Sequence, residues 1–357
     1  MGRLAIAILV LPIATLNAST APSCSAIGGR TPADVNRLVS MGLELSRATS
    51  YSAAADCYRR ALAIDSNMAP VQVNLGLAEF KQGHFRAAAP AFEAALKLDP
   101  LNLQARTLLG MSYYGDAHYA DAVRTLEPVV AAQPDNASLR YVMAQSCLWG
   151  GLYQQAIAHF EFLLRSNPNS AETHMLLGEA LDGTRRTDDA IAEFQAAAAA
   201  APKAWNVHFG LGYLYWKQHK DEEAEREFRE EISNNPANAA AWSYLGDVLL
   251  RSDKRADARA ALEKAIALDG RNRLARFDLG TALIDDRQYA RARAELTEAV
   301  RLDPAKSDAH FQLSRLYRAT GRDADARREF DAVQRLKQSE KEQEMHKALG
   351  PAPALNQ

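Results

Sequence analysis

In the stretch LGLAEFKQGHFRAAAPAFEAALKLDP, residues 75 to 100, apolar positions return every three or four residues on both sides of a polar break at 81–84. That is the period of a helix burying one face, so the stretch predicts two amphipathic helices joined by a turn. Asp99-Pro100 closes the second helix, because the residue before a proline is biased away from the α region. Gly76 and Ala88 stand where the paired helices would come closest, and a larger side chain there would push them apart. Phe92 and Ala95 are expected to face the first helix of the next pair.

The pattern repeats along the chain. Leu75-Gly76 returns as Leu109-Gly110, Met143-Ala144, Leu177-Gly178, Leu211-Gly212, Leu245-Gly246, Leu279-Gly280 and Leu313-Ser314, each 34 residues on, and Gly42 lies 34 before Gly76. Twelve residues after each of these places comes an alanine, from Ala54 and Ala88 through to Ala326. Four further on comes a large apolar residue: Tyr58, Phe92, Leu126, Phe160, Phe194, Phe228, Leu262, Leu296 or Phe330. Proline follows at 100, 134, 168, 202, 236 and 304, with Ser66, Gly270 and Gln338 in its place elsewhere. Nine units fill 35–340 without an insertion: 35–68, 69–102, 103–136, 137–170, 171–204, 205–238, 239–272, 273–306 and 307–340. One helix pair cannot bury its own apolar face, whereas stacked neighbours bury a continuous core.

This arrangement of Leu-Gly, Ala, a large apolar residue, Ala and Pro over 34 residues resembles the tetratricopeptide repeat (TPR) family, across about 306 of the 357 residues. The resemblance implies an all-α fold, a right-handed TPR superhelix (α-solenoid) of paired antiparallel helices. In that family the first helix of each unit lines a concave surface, with its second, fifth, ninth and twelfth places pointing inward. Carried onto this chain, the frame makes Phe80, Met111, Tyr114, Tyr141, Leu148, Phe209, Tyr213, Trp216, Phe277, Phe311 and Arg315 a candidate ligand groove, with Trp149 beside them. Recurrent aromatics on such a face mark a binding surface, since exposed apolar stripes on soluble proteins usually do.

The expected occupant is a protein segment, an extended peptide or an amphipathic helix. A glycan is the alternative, because tyrosine and tryptophan faces also stack on sugar rings. A structural role in a cell-envelope assembly is the third reading. The family's carboxylate clamp needs lysine and asparagine at the fifth and ninth places of one unit. The first three units carry Val39 and Leu43, Val73 and Leu77, and Thr107 and Met111 there, which disfavours a clamp for a partner's terminal carboxylate.

Nothing in the sequence assembles an enzyme. It has no HExxH, G-x-S-x-G, P-loop or CxxC. His174, His208 and His310 share one repeat position, too far apart in sequence for a metal-ligand motif. Glu172, Glu179 and Asp182 share a helix face and read as a solvated acidic patch. No catalytic residue, metal or cofactor is expected. A formal net charge of −2 lacks the basic excess of a nucleic-acid binder.

The two ends differ from the repeats. Residues 1–26 have one early arginine, an apolar run from Leu4 to Leu16 and then small and polar residues, the layout of a secretory signal. As a helix of ~1.5 Å per residue the run reaches about 20 Å, short of a bilayer core of about 30 Å. The chain is therefore expected to be cleaved and exported, periplasmic or secreted, with no membrane span left. A lipid anchor at Cys24 is the less favoured route, because Pro22 spoils the lipoprotein box. Cys57 and Cys147 lie in distant units and are not expected to pair. Pro90 and Pro128 fall inside second helices, where local distortion is expected. Residues 341–357 read as a capping helix, with Met345 and Leu349 covering the last unit, followed by a flexible tail.

Overall fold

The computed structural model describes Cys24 and residues 27–349, with side chains as far as Met345. Among these residues it consists of eighteen α-helices and no strand. The helices come in nine pairs. The first four are α1 (Pro32–Arg47) and α2 (Tyr51–Leu62), α3 (Ala69–Lys81) and α4 (Phe85–Leu98), α5 (Leu103–Gly115) and α6 (Tyr119–Ala132), and α7 (Ala137–Trp149) and α8 (Tyr153–Ser166). Then follow α9 (Ala171–Gly183) and α10 (Thr187–Ala200), α11 (Val207–Lys217) and α12 (Asp221–Asn234), and α13 (Ala239–Arg251) and α14 (Arg255–Leu268). The last are α15 (Arg273–Asp285) and α16 (Tyr289–Leu302), and α17 (Ser307–Ala319) and α18 (Asp323–Leu349).

The chain divides into two compact bodies, one up to His159 and one from Phe160. In the first, α1 to α7 each pack on the next; in the second, α9 to α18 do the same. First helices also touch one another: α3 meets α5 and α5 meets α7 in one body, and α11, α13, α15 and α17 form a row in the other.

The repeated small residues form the tightest part of the core. All nine alanines of the series, from Ala54 to Ala326, are buried. A Cβ on Gly76 would come within 2.8 Å of the Phe92 ring. Gly42 bears the same relation to Tyr58, Gly178 to Phe194, Gly212 to Phe228, and Gly110, Gly246 and Gly280 to the leucines of their units. Phe92 thus lies on the glycine of its own unit, in a cluster that also takes in Leu109 of α5. The expected contact with the next pair is present, and the contact within the unit is the reason the glycine is there. In the last unit Ser314 takes the glycine place, and its Oγ donates to Ala326 O at 3.0 Å. Phe330 is 39% exposed, and among the described residues no first helix packs over it.

Each turn within a pair is built alike. Thr49, Gly83, Ala117, Gly151, Arg185, His219, Asp253, Arg287 and Gly321, 34 apart, all have positive φ. The next residue's N–H donates to a carbonyl five residues back, as His84 N does to Glu79 O at 3.0 Å and His118 N to Tyr113 O at 2.8 Å. This is a Schellman closure, satisfying the last carbonyls of the first helix. Between pairs, Asn102, Asn136, Ser170, Asn238 and Asn272 cap the following helix by accepting from the N–H three residues on.

Three places depart from the plain repeat pattern. Pro90 and Pro128 do not break their helices: α4 and α6 are 14 residues long, as are proline-free α10, α12, α14 and α16. Both prolines are exposed, so water can reach the carbonyls that lose their N–H partner. The capping helix is not a separate element, because α18 runs unbroken through Leu349. Gln338 has no power to stop a helix where other units have proline. Met345 is exposed, and the side chain of Leu349, the tail 350–357 and the signal-like segment apart from Cys24 lie outside the described residues.

The third departure is in the sixth unit. Ala204 stands at the capping place, so α11 starts late, after Asn206 at φ 66°. The orphaned N–H of Phe209 is taken by the buried Glu231 carboxylate of α12 at 3.3 Å, which also accepts from Asn238 Nδ2 at 2.9 Å. An acceptor from the neighbouring helix thus replaces the missing cap. The same displaced turn leaves Trp205 73% exposed.

Candidate interaction surface

The predicted groove residues separate into two aromatic groups, one in each body. In the first body, Phe80 meets Phe85 edge to face at 5.2 Å. Tyr114 stacks on Trp149 at 5.7 Å, and Tyr119 of α6 leans on the same indole at 5.6 Å. The Tyr114 hydroxyl donates to Gln145 Oε1 at 2.6 Å. Trp149 remains 39% exposed, while Phe80, Met111, Tyr114 and Tyr141 are half-buried. Leu148 is only 5% exposed and belongs to the core rather than the surface. It ends a helix turn whose other side is solvent, and there Trp149 takes the exposed place. Between α3 and α5 lies an open cleft of about 440 Å³ lined by Leu77, Leu103, Gln104, Thr107, Leu108 and Met111.

In the second body the rings form one continuous packing. Tyr213 stacks on Trp216 at 5.7 Å, and Phe209 meets Phe228 at 6.0 Å. Tyr244 of α13 lies against all four, with centroids 5.0 to 5.8 Å away. It was missed by the sequence frame because it falls outside the inward-pointing places, although an aromatic one residue from Ser243 was a visible signal. Trp216 Nε1 donates to Asp247 Oδ2, and the Arg251 guanidinium lies 5.6 Å over its ring. Phe209, Tyr213, Trp216 and Phe277 are half-buried, while Phe311 is 46% exposed and Arg315 is exposed. Arg315 donates to Gln312 at 2.8 Å and approaches Asp285 at 3.9 Å. The rings therefore brace one another, each offering part of its surface.

Beside this packing is a buried acid. Asp278 of α15 has an Oδ2 shielded from solvent and without a hydrogen-bond partner. Burial, and then the carboxylates of Asp247 and Asp308, raise its pKa well above the ordinary range, against the pull of Arg273 and Arg251. Burial and the neighbouring Tyr213, Asp247 and Asp278 raise that of Tyr244.

The repeated histidines are structural. His174 Nδ1 faces Glu193 Oε2 at 2.6 Å while Nε2 faces Pro168 O at 2.9 Å; His208 does the same with Glu227 and Pro202. At the same repeat place Trp242, Arg140 and Arg276 also donate to the turn carbonyl six residues back. The position thus pins the turn between units, whatever residue fills it. Among the described residues no three His, Cys, Asp or Glu side chains gather as a metal site. Glu172 and Glu179 are exposed, and Asp182 pairs with Lys217 at 2.6 Å.

Stacked helix pairs with a row of first helices carrying these rings define a helical-repeat protein of the α-solenoid class. The chain belongs to the tetratricopeptide repeat family. Two sequence profiles, both described as tetratricopeptide repeat, match it, one at residues 79–146 and 283–349, the other in overlapping segments from 150 to 287. No curated protein matches it. Among solved structures, the Cut9 and Hcn1 hetero-tetramer of the APC/C is similar at 14% identity and TM-score 0.53, over 85% of this chain and 73% of the other. Pseudomonas aeruginosa pilF is similar at 20% identity and TM-score 0.52, over 57% of this chain and 93% of its own. A tetratricopeptide repeat protein of Parabacteroides merdae is similar at 15% identity and TM-score 0.50, over 70% and 98%. At these identities the likeness is one of fold. Among the described residues no helix is long and apolar enough to cross a membrane.

Proposed function

We propose that this TPR protein is an exported, non-enzymatic scaffold that binds a segment of a partner protein on its first helices. The reading rests on one observation: partly exposed aromatic rings, fixed by mutual stacking, recur on those helices in both bodies. Pre-set rings lose little freedom on binding, so more of their burial appears as affinity. The cleft over Leu77 and Met111 has an apolar floor and an amide and hydroxyl rim from Gln104 and Thr107, a lining that suits a peptide side chain and its backbone. Export is supported by the signal-like segment alone.

The test is affinity capture with the purified protein, followed by titration of the captured segment. Covering a half-exposed indole contributes very roughly 1 kcal/mol. Trp149→Ala should therefore weaken binding by about tenfold or less if the first body holds the segment, and Trp216→Ala if the second does. Undiminished binding by the double variant would overturn the reading. Binding to a polysaccharide panel with no protein partner would replace it with a glycan module.

A further inference from the structure

The repeats leave three thiols unexplained. Cys24, Cys57 and Cys147 are all free and buried. Cys147 is isolated in its helix, its Sγ 3.7 Å from Gln155 Oε1, and burial raises its pKa to about 11. Cys24 and Cys57 are different. Cys57 lies on α2, on the face that receives the segment ahead of α1, and Cys24 is in that segment. The two belong to one buried cluster with Val35, Leu38, Ala54 and Tyr58. The two thiols lie close enough in that cluster for Cys24 to perturb the titration of Cys57. The Cys24 Sγ points along α2, 4.0 Å from Ala53 O, one helical turn before Cys57.

The backbone around Cys24 is held in place. Arg60, three residues after Cys57 on α2, donates one guanidinium nitrogen to Cys24 O and the other to Ile27 O. Ile27 N in turn donates to Cys24 O at 3.1 Å. The segment is thus clamped on the helix that carries the second thiol, and its cysteine fills a core position.

We propose that Cys24 and Cys57 form a disulfide that staples the leading segment to the first repeat. The oxidant is a disulfide-bonded dithiol carrier or a small-molecule disulfide. Cys24, nearer the surface, loses its proton and attacks one sulfur of the oxidant, expelling a thiolate and leaving a mixed disulfide. Cys57 then gives up its proton and attacks the Cys24 sulfur, and the second thiol leaves. Two protein thiols become one disulfide, and the oxidant's disulfide becomes two thiols. In the reduced protein burial, reinforced by Cys24, pushes the Cys57 thiol up to about 12, with Arg60 opposing. The staple requires that leader processing leave Cys24 on the mature chain. A lipid on Cys24 would require its thiol to be withdrawn from this core.

The test uses the full chain, purified and exposed to oxidised glutathione, then alkylated, digested and read by mass spectrometry. The expected product is a Cys24–Cys57 peptide pair about 2 Da lighter than the two reduced thiol peptides together, with Cys147 alkylated only after denaturation. Cys24→Ser abolishes the linked pair and keeps the helical circular dichroism, which guards against a Cys57→Ser variant that fails to fold. Arg60→Gln should slow linkage by about tenfold, since two charge-assisted hydrogen bonds hold the segment in place. The proposal is overturned if Cys24 stops at the glutathione adduct, if Cys57 stays alkylatable, or if the purified mature chain begins after Cys24. It stands or falls independently of the interaction surface.

Discussion

Replacing Gly76 by alanine tests the packing on which every unit rests. The new Cβ would lie 2.7 to 2.8 Å from three carbons of the Phe92 ring, where ordinary carbon contacts are about 3.5–4.0 Å. Either the ring or α3 must retreat by roughly 0.7–1 Å, and Phe92 is fully buried. Overpacking of this kind costs about 1–3 kcal/mol. Against it, alanine gains about 1 kcal/mol over glycine in a helix interior. The net loss is therefore about 1 kcal/mol, small enough that a single variant would not be decisive. A double-mutant cycle is. With Phe92→Ala already in place the ring is gone, and Gly76→Ala should now stabilise by about 1 kcal/mol. The measurement is urea unfolding followed by circular dichroism, together with native-state hydrogen exchange of the α3 to α5 amides, since a repeat array opens in segments. If Gly76→Ala changes stability equally in the two backgrounds, within about 0.5 kcal/mol, the ring contact is not what demands the glycine.

Ala117 holds a left-handed conformation at φ 60°, so Ala117→Gly should stabilise by about 1 kcal/mol, and Gly83→Ala at the matching place should cost a similar amount; thermal melts read both. Glu231→Ala leaves the Phe209 N–H unpaired and should cost about 1–3 kcal/mol, seen first as faster exchange of the amides that open α11. Glu231→Gln keeps an acceptor and should lose less. Asp278, with its raised pKa, binds a proton more tightly folded than unfolded, so its contribution is fully present below the ordinary carboxyl pKa and is lost as pH rises through the folded value. Asp278→Asn should therefore be more stable than the parent at pH 7, with the advantage fading near pH 4; an advantage independent of pH would show that charge is not involved.

The candidate surface was partly legible. Phe311 is exposed where the repeat frame points it, Trp149 is exposed one place beyond the frame, and Tyr114, Tyr213 and Trp216 offer part of their faces. Leu148 belongs to the core, and Tyr244, the ring that joins the second group, falls outside the frame. A frame reports the direction of a side chain from a regular helix. Which rings lean on one another depends on side chains from neighbouring helices, which no single unit's pattern contains.

The fold itself was written locally. A 34-residue period with glycine, alanine and a large apolar residue at fixed offsets can be satisfied only by close helix pairs that repeat, because each offset is a contact within one unit or with the next. The sequence alone therefore determined the helices, their pairing and their stacking. The tertiary structure decided what depends on distant neighbours. An acceptor on α12 replaces the missing cap of α11. Asp278 is buried with one oxygen unpartnered, among charged side chains of α13, α15 and α17. Arg60 on α2 draws Cys24 onto Cys57. Each brings together residues about twenty to forty apart in the chain through packing, and the repeat fixes the places of its conserved positions but not the identity of the side chains that meet there.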